Sequence, residues 1–123
     1  MNPVIYLLLA DVLLAVAGQL LLKKGMTILG PLDFSLNNIW VLVSGALKSI
    51  YIWIAVICYA CGLILWMFIL SKVKLSVAYP ITSLVYVLVV FSSWLFFKES
   101  IGIYQVVGIS LIVGGLFFLF KSL

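Results

Sequence analysis

Apolar side chains dominate four long segments of the chain, and polar residues are concentrated in the stretches between them. The segments are residues 3–22, 50–70, 75–97 and 101–120. Each approaches or exceeds the roughly 20 apolar residues that a helix needs to cross a hydrocarbon core. The pattern predicts an all-α membrane protein, with four transmembrane helices forming a single transmembrane domain over residues 1–123.

The longest connection, residues 23–49, contains a second helical pattern that follows Asn38, a residue expected to cap the helix. Its apolar residues recur at helical spacing: Ile39, Leu42, Val43, Ala46 and Leu47. An unbroken helix over residues 39–70 would be about 48 Å long, well beyond a hydrocarbon core of roughly 30 Å. We therefore expect a short interfacial helix, with Trp40 at headgroup depth, and a bend before the second span.

Pro80 is the residue that decides whether the third span is straight. A proline is tolerated in the first turn of a helix, where its missing N–H would have no partner in any case. A helix that starts near Ala78 accommodates Pro80 in this way. If the helix starts earlier, Pro80 is expected to kink it.

The later connections are short, so consecutive spans should be antiparallel neighbours and both termini should lie on one side of the membrane. Three lysines fall on that side and four on the other, which leaves the positive-inside rule little bias to act on. The first group is Lys72, Lys74 and Lys121, and the second is Lys23, Lys24, Lys48 and Lys98. We expect a chain that inserts in both orientations or is oriented by a partner.

Composition narrows the functional class. Hydrophobic residues make up 67% of the 123 and charged residues 8%, against about a quarter charged in soluble proteins. The chain has no histidine and little sequence outside the spans, so we expect no enzyme activity, no cofactor and no metal. Cys58 and Cys61 lie inside the second span and are predicted to be packing residues. The net charge of +4 is assigned to lysines at anionic headgroups rather than to nucleic-acid binding.

Asp11 stands near the middle of the first span, in a chain with only three acidic residues. A carboxylate at the centre of a membrane helix costs about 2.5–3.5 kcal/mol on insertion scales. Such groups usually face a bundle interior or a wet cavity on an ion or substrate path. The alternative is a structural carboxyl that reaches the headgroups or is held protonated by its neighbours.

On the first helix, small residues accompany this carboxyl. Ala15 and Gly18 follow Asp11 at i+4 and i+7, so they lie on the same face and leave either a close helix contact or a space. Gln19 is about 80° round from Asp11 at 100° per residue, where its amide could bond to a neighbouring helix.

Further candidates share one face on each of the next two helices. Tyr59, Gly62 and Trp66 follow at i, i+3 and i+7 in the second span. The third carries a polar stripe: Tyr79, Ser83, Tyr86 and Ser93, flanked by Thr82 and Ser92. These faces either line a cavity or make ordinary interhelical contacts. We expect Asp11 to open on a cavity with Tyr79, Ser83 and Tyr86. The predicted substrate-binding residues are Asp11, Gln19, Tyr59, Trp66, Tyr79, Thr82, Ser83 and Tyr86.

The fourth helix carries two glycines seven residues apart on one face. Gly108 and Gly115 are separated by Leu111 and Ile112, a spacing that lets another backbone approach closely. We predict a packing seam made of these four residues, with another subunit as the partner.

The order and spacing of these motifs resemble the drug/metabolite transporter superfamily in its four-helix form, which includes small multidrug resistance proteins and EamA-like proteins. Residues 14–19 through Lys23 resemble the first helix of the flippase subunits for aminoarabinose linked to undecaprenyl phosphate. Residues 76–80, running into 82–84, and Lys98-Glu99 resemble them too. Residues 108–115 are similar to the fourth-helix dimerisation seam of the multidrug proteins.

The chain departs from the multidrug pattern at three points. It has Ala15 where those proteins have an essential glutamate, and Thr82 where they have a tryptophan. Leu84 and Tyr86 stand in place of the glycine pair that kinks their third helix. These differences argue against export of aromatic cations, although Asp11 lies one turn before Ala15.

Three functional hypotheses follow from the resemblance and the residues. The first is half of a transporter in the bacterial inner membrane that flips a polyprenyl-phosphate-linked sugar or amino sugar. It would work as an antiparallel homodimer, or as a heterodimer with a similar small subunit. Asp11 would meet a sugar ammonium, and Lys23, Lys24 or Lys98 would meet the phosphate. The second is a proton-coupled exporter of small cations, and the third is a partner subunit that transports nothing.

Overall fold

The computed structural model describes residues 3–122, and the part of the chain that it describes contains six α-helices. They are α1 (Pro3–Leu29), α2 (Leu36–Lys48), α3 (Ile50–Leu70), α4 (Leu75–Ile81), α5 (Leu84–Phe96) and α6 (Ile103–Lys121). Four segments are long and apolar enough to cross a membrane: α1, α3, α4 together with α5, and α6. The all-helical class and the four spans are thus confirmed.

The first helix continues two turns beyond the predicted boundary at Leu22 and ends at Leu29. The two boundaries differ because apolar composition predicts the extent of the membrane span, whereas a helix continues until the backbone is forced to change. Lys23 and Lys24 leave the apolar pattern but are good helix formers. The helix stops at Gly30, whose φ of +90° is one that side-chain-bearing residues rarely adopt.

A short helix in the first connection is confirmed, but Asn38 does not cap it. The capping residue is Ser35, whose side-chain oxygen accepts a hydrogen bond from the Asn38 backbone N–H at 3.3 Å. Asn38 lies inside the first turn, and its side-chain amide donates to the Asp33 carbonyl at 2.8 Å. Trp40 is 75% exposed, and none of the residues of α2 is buried. The location of α2 at headgroup depth stays a prediction.

The bend between α2 and α3 is also confirmed. Ser49 has extended backbone angles, which end one helix and start the next. The indole N–H of Trp53 donates to the Leu47 carbonyl across this bend at 2.9 Å. The helix α3 then occupies the predicted residues 50–70 without change.

The third span is interrupted between α4 and α5, which is the outcome expected for a helix that starts well before Ala78. Because α4 begins at Leu75, Pro80 lies in its second turn rather than its first, where the proline ring and missing N–H disturb the helix. The chain passes through a tighter turn at Thr82 and Ser83. The Ser83 N–H donates to the Pro80 carbonyl at 3.0 Å, three residues back as in a 3₁₀-helix. The span ends at Phe96, and the fourth span begins at Ile103 and ends at Lys121, each within two residues of the expected boundary.

The first helix lies at the centre of the bundle. It packs along α3 and also contacts α5, while α6 packs against α4 and α5. A stripe at a spacing of four is buried on α1: Val4, Leu8, Val12 and Val16. Val4 and Leu8 belong to a core that α3 and α4 complete with Ile69, Ala78 and Ile81. The helix α6 buries only Leu116 among its described residues, so most of its surface faces away from the chain.

Candidate functional site

A cavity of about 310 Å³ lies between the first, second and third spans, beside Asp11. Its lining comes from α1, from α3, and from the third span at and just before its break. The residues are Asp11, Ala15, Cys58, Tyr59, Gly62, Leu63, Trp66, Tyr79 and Thr82. The walls are apolar and aromatic, with few polar groups, as in most small-molecule sites.

The Asp11 carboxylate has room in this cavity because the facing residue on α3 is a glycine. A Cβ atom added to Gly62 would lie 3.3 Å from the Asp11 carboxylate oxygen Oδ1. Within residues 3–122, the Asp11 side chain makes no hydrogen bond or ion pair with the protein. An acceptor without a protein partner is therefore available to a ligand.

Aromatic side chains form two walls around this carboxylate. The rings of Trp66 and Tyr79 meet edge to face, with centroids 6.1 Å apart. The Tyr59 ring lies against the backbone of Gly18, where an added Cβ atom would be 3.0 Å from the ring carbon Cζ. Among the described residues, the Tyr59 hydroxyl oxygen is buried and has no hydrogen-bond partner. The Thr82 hydroxyl donates to the Tyr79 carbonyl within the turn.

The structure brings five of the eight predicted binding residues together around the cavity. These five are Asp11, Tyr59, Trp66, Tyr79 and Thr82. Gln19, Ser83 and Tyr86 are not among the lining residues, and Tyr86 is 61% exposed. The expected stripe assumed one continuous α-helix, but a turn wound at about 3.0 rather than 3.6 residues per turn changes the facing of everything beyond it.

Two lining residues, Cys58 and Leu63, were missed as site candidates. Cys58 precedes Gly62 by four residues, and Trp66 follows Gly62 by four, so the three share one face of α3. That spacing was present in the sequence. The sequence predicts a packing role for Cys58 because a thiol in an apolar span is neither charged nor a strong hydrogen-bonding group. Leu63 has no polar group that could mark it as a site residue.

The three predicted phosphate-binding lysines lie at the other end of α1, away from the cavity. The Lys23 ammonium pairs with the Glu99 carboxylate at 3.9 Å. The Lys24 ammonium lies 5.1 Å from the centroid of the Tyr51 ring. Lys98 adjoins Glu99 and has a φ of 56°, unusual for a residue other than glycine. Their role in phosphate binding stays a prediction.

The predicted seam on α6 is open to the surroundings of the chain. A Cβ atom added to Gly108 or Gly115 would meet nothing within 4 Å, and Leu111 is 73% exposed. Ile112 is half-buried. A second helix could therefore approach this face, but the partner and the dimer stay predictions.

A sequence profile of the EamA-like transporter family matches residues 4–121. The chain belongs to the EamA-like transporter family. The suspected resemblance is therefore confirmed, and this EamA-like protein is a member of a transporter family rather than an enzyme. No solved structure matches it.

Curated relatives of this EamA-like protein are named as probable 4-amino-4-deoxy-L-arabinose-phosphoundecaprenol flippase subunits ArnE. The chain is 30% identical to the protein of Pseudomonas fluorescens over 90% of its own length and 91% of the relative. It is 34% identical to that of Aeromonas hydrophila over the same shares. It is 29% identical to that of Salmonella enteritidis over 87% of each chain.

Proposed function

We propose that this EamA-like protein is one half of a transporter that flips a polyprenyl-phosphate-linked amino sugar across the bacterial inner membrane. The observation that carries the proposal is the unpartnered Asp11 carboxylate in a cavity walled by aromatic rings. The relatives named as aminoarabinose-phosphoundecaprenol flippase subunits support the same substrate class.

The cavity matches an amino sugar in both of its chemical characters. The ammonium pairs with Asp11, and their attraction is stronger in a low-dielectric site than in water. The apolar faces of the ring pack on Trp66 and Tyr79. A purely anionic head group would be repelled by the ionised carboxylate.

A dimer completes the proposed transporter. One chain offers a cavity open on one side, whereas two chains in inverted orientation create a midplane site and the alternation that transport requires. The outer face of α6 is the proposed contact, because its glycines leave room for a second backbone. The second chain is either a copy of this one or a similar small subunit, and the word subunit in the relatives' name fits such an assembly.

The experiment for this function compares two lipids in proteoliposomes. The proteoliposomes contain the purified protein, alone or together with a similar small subunit. One carries a polyprenyl-phosphate-linked amino sugar, and the other has the same sugar with its amine acetylated. We expect the amine form to cross at least about tenfold faster, because acetylation removes the charge that Asp11 recognises. The head group that reaches the outer leaflet is measured with a membrane-impermeant periodate reaction. Equal rates for the two lipids, or no protein-dependent crossing, would contradict the proposal.

The dimer contact is tested separately with substitutions on two faces of α6. Replacing both Gly108 and Gly115 with Leu fills the open face, so we expect monomers in crosslinking or loss of expression. The matched control replaces Val106 and Val113 with Leu as well. These two residues have the same spacing, lie on the opposite side of the helix and are each 49% exposed. The control should assemble as the parent does. An unchanged dimer in the glycine variant removes this seam from the proposal.

A second candidate is a proton-coupled exporter of small cations, and the same unpartnered carboxylate favours it. Asp11 would release its proton when a cation binds and take one up when the cation leaves. This mechanism needs no lipid phosphate. Uptake of a soluble cation that is driven by a proton gradient in vesicles, without flipping of lipid, would select it over the flippase.

A further inference from the structure

A second depression, which we call the Lys24 groove, lies between the later part of α1 and the end of α5. Its volume is about 460 Å³. It is lined by Leu20, Leu21, Lys24, Thr27, Ile28, Phe96 and Phe97. None of these residues lines the Asp11 cavity. Lys24 and Thr27 are the polar residues of this lining, so the groove combines an apolar surface for a hydrocarbon chain with one basic residue at its border.

The structure gives the two neighbouring lysines different partners. Lys23 pairs with the carboxylate of Glu99. Lys24 has no carboxylate partner within residues 3–122 and lies beside the ring of Tyr51 instead. An ammonium has three donors, and a ring on one side leaves donors free for an oxygen ligand. The Thr27 hydroxyl donates to the Lys23 carbonyl at 2.8 Å, so its hydrogen is already engaged. Lys24 is therefore the lining residue that can offer both a charge and free donors to a ligand.

The groove is too far from the Asp11 cavity for one head group to occupy both. Asp11 and Lys24 are thirteen positions apart on one continuous helix, which is about 20 Å along the helix axis. In an amino sugar joined to a phosphate, a single sugar ring separates the ammonium from the phosphorus. An ammonium at Asp11 and a phosphate at Lys24 therefore belong to two different bound states.

We propose that the Lys24 groove binds the phosphate and first isoprenoid units of a single-chain polyprenyl phosphate lipid, at a site separate from the Asp11 cavity. Lys24 binds the phosphate, and Phe96, Phe97 and the leucines of α1 contact the chain. The groove runs between two helices, which suits one hydrocarbon chain better than the paired chains of a phospholipid. The inference rests on the proposed function for the identity of the lipid. It divides transport into a step that holds the lipid at the membrane face and a step that admits the head group to the cavity.

The test is equilibrium binding of farnesyl phosphate, which has a chain and a phosphate but no sugar, to the full protein in zwitterionic nanodiscs. We expect Lys24→Gln to weaken binding about fivefold, the loss that corresponds to one lysine–phosphate attraction at a membrane surface. The control, Lys72→Gln, removes a lysine from the opposite end of the bundle and should leave the affinity unchanged. A photoreactive farnesyl phosphate should label the α1 and α5 segments that border the groove.

Three results would overturn the inference. They are equal affinity in the parent and Lys24→Gln, labelling of the Asp11 cavity, and competition by phosphatidylglycerol as effective as that by farnesyl phosphate. The last would make the groove a site for bulk anionic lipid. Because this experiment measures no transport, its failure and the failure of the proposed function can be distinguished. Binding at Lys24 without flipping would support the groove assignment and reject the flippase. Flipping without this binding would support the flippase and reject the groove assignment.

Discussion

Replacing Asp11 with Asn is expected to remove most of the transport activity while the protein stays folded. The substitution nearly preserves shape and removes a charge that is costly in the membrane, so the free energy of unfolding should be at least that of the parent. It also removes the charge that we propose binds the substrate ammonium. Hydrogen bonds to charged groups are worth about 1.5–3 kcal/mol, so transport at low substrate concentration should fall about ten- to hundredfold.

The control for this variant is Asp33→Asn, which removes the same charge from an exposed position in the first connection. Both variants should express normally, and only Asp11→Asn should lose transport of the amino-sugar lipid in proteoliposomes. Full activity of Asp11→Asn would mean that the carboxyl is structural, and both the amino-sugar flippase and the proton-coupled exporter would then fail. Equal loss in the two variants would point to a general effect of charge rather than to a site.

Replacing Gly18 with Val should destabilise the bundle and impair the cavity together. Gly18 is buried, and an added Cβ atom would lie 3.0–3.3 Å from three atoms of the Tyr59 ring, closer than ordinary van der Waals contact. A rigid ring cannot move aside as the end of a flexible side chain can. Overpacking of this kind costs about 1–3 kcal/mol, and the displaced ring also belongs to the cavity wall. The loss of stability is measured by denaturation in mixed detergent micelles.

Two further variants separate this clash from a general effect of valine in a helix. Gly114→Val places the same side chain inside α6, where an added Cβ atom meets nothing within 4 Å, so it should change stability little. Combining Gly18→Val with Tyr59→Leu replaces the ring with a smaller, flexible side chain and should recover part of the lost stability. If Gly18→Val is as stable as Gly114→Val, the close contact between α1 and α3 does not hold in the membrane.

The candidate site shows how far periodicity alone can be taken. Asp11 and Ala15 on α1, and Tyr59 and Trp66 on α3, line one cavity, as expected of residues that share a face on a continuous helix. On the third span the lining includes Tyr79 and Thr82 but not the later residues of the expected stripe. Ser83 and Tyr86 follow the interruption that Pro80 causes, and a stripe drawn at 100° per residue does not continue through it.

Two boundaries show the same division between composition and geometry. The sequence predicted the end of the first span at Leu22, but α1 continues to Leu29 and stops before Gly30, where a positive φ forces the change. It located a short helix after Asn38, but the cap is Ser35, because capping depends on which side-chain oxygen reaches a free backbone N–H. Apolar runs report the environment of a segment, and they carry little information about local backbone angles.

By itself, the sequence determined that the chain is a four-span membrane protein of the EamA-like family, because the length and apolarity of each span and the order of its motifs are local properties. It also singled out Asp11, because a carboxylate inside an apolar span is visible without any structure. Only the tertiary structure decided that Gly62 makes room for this carboxylate and that Cys58 and Leu63 join the wall. It alone separated Lys23, paired with Glu99, from Lys24, which borders an apolar groove. Those facts depend on which helices pack together and at what rotation, and contacts between residues far apart in sequence set both.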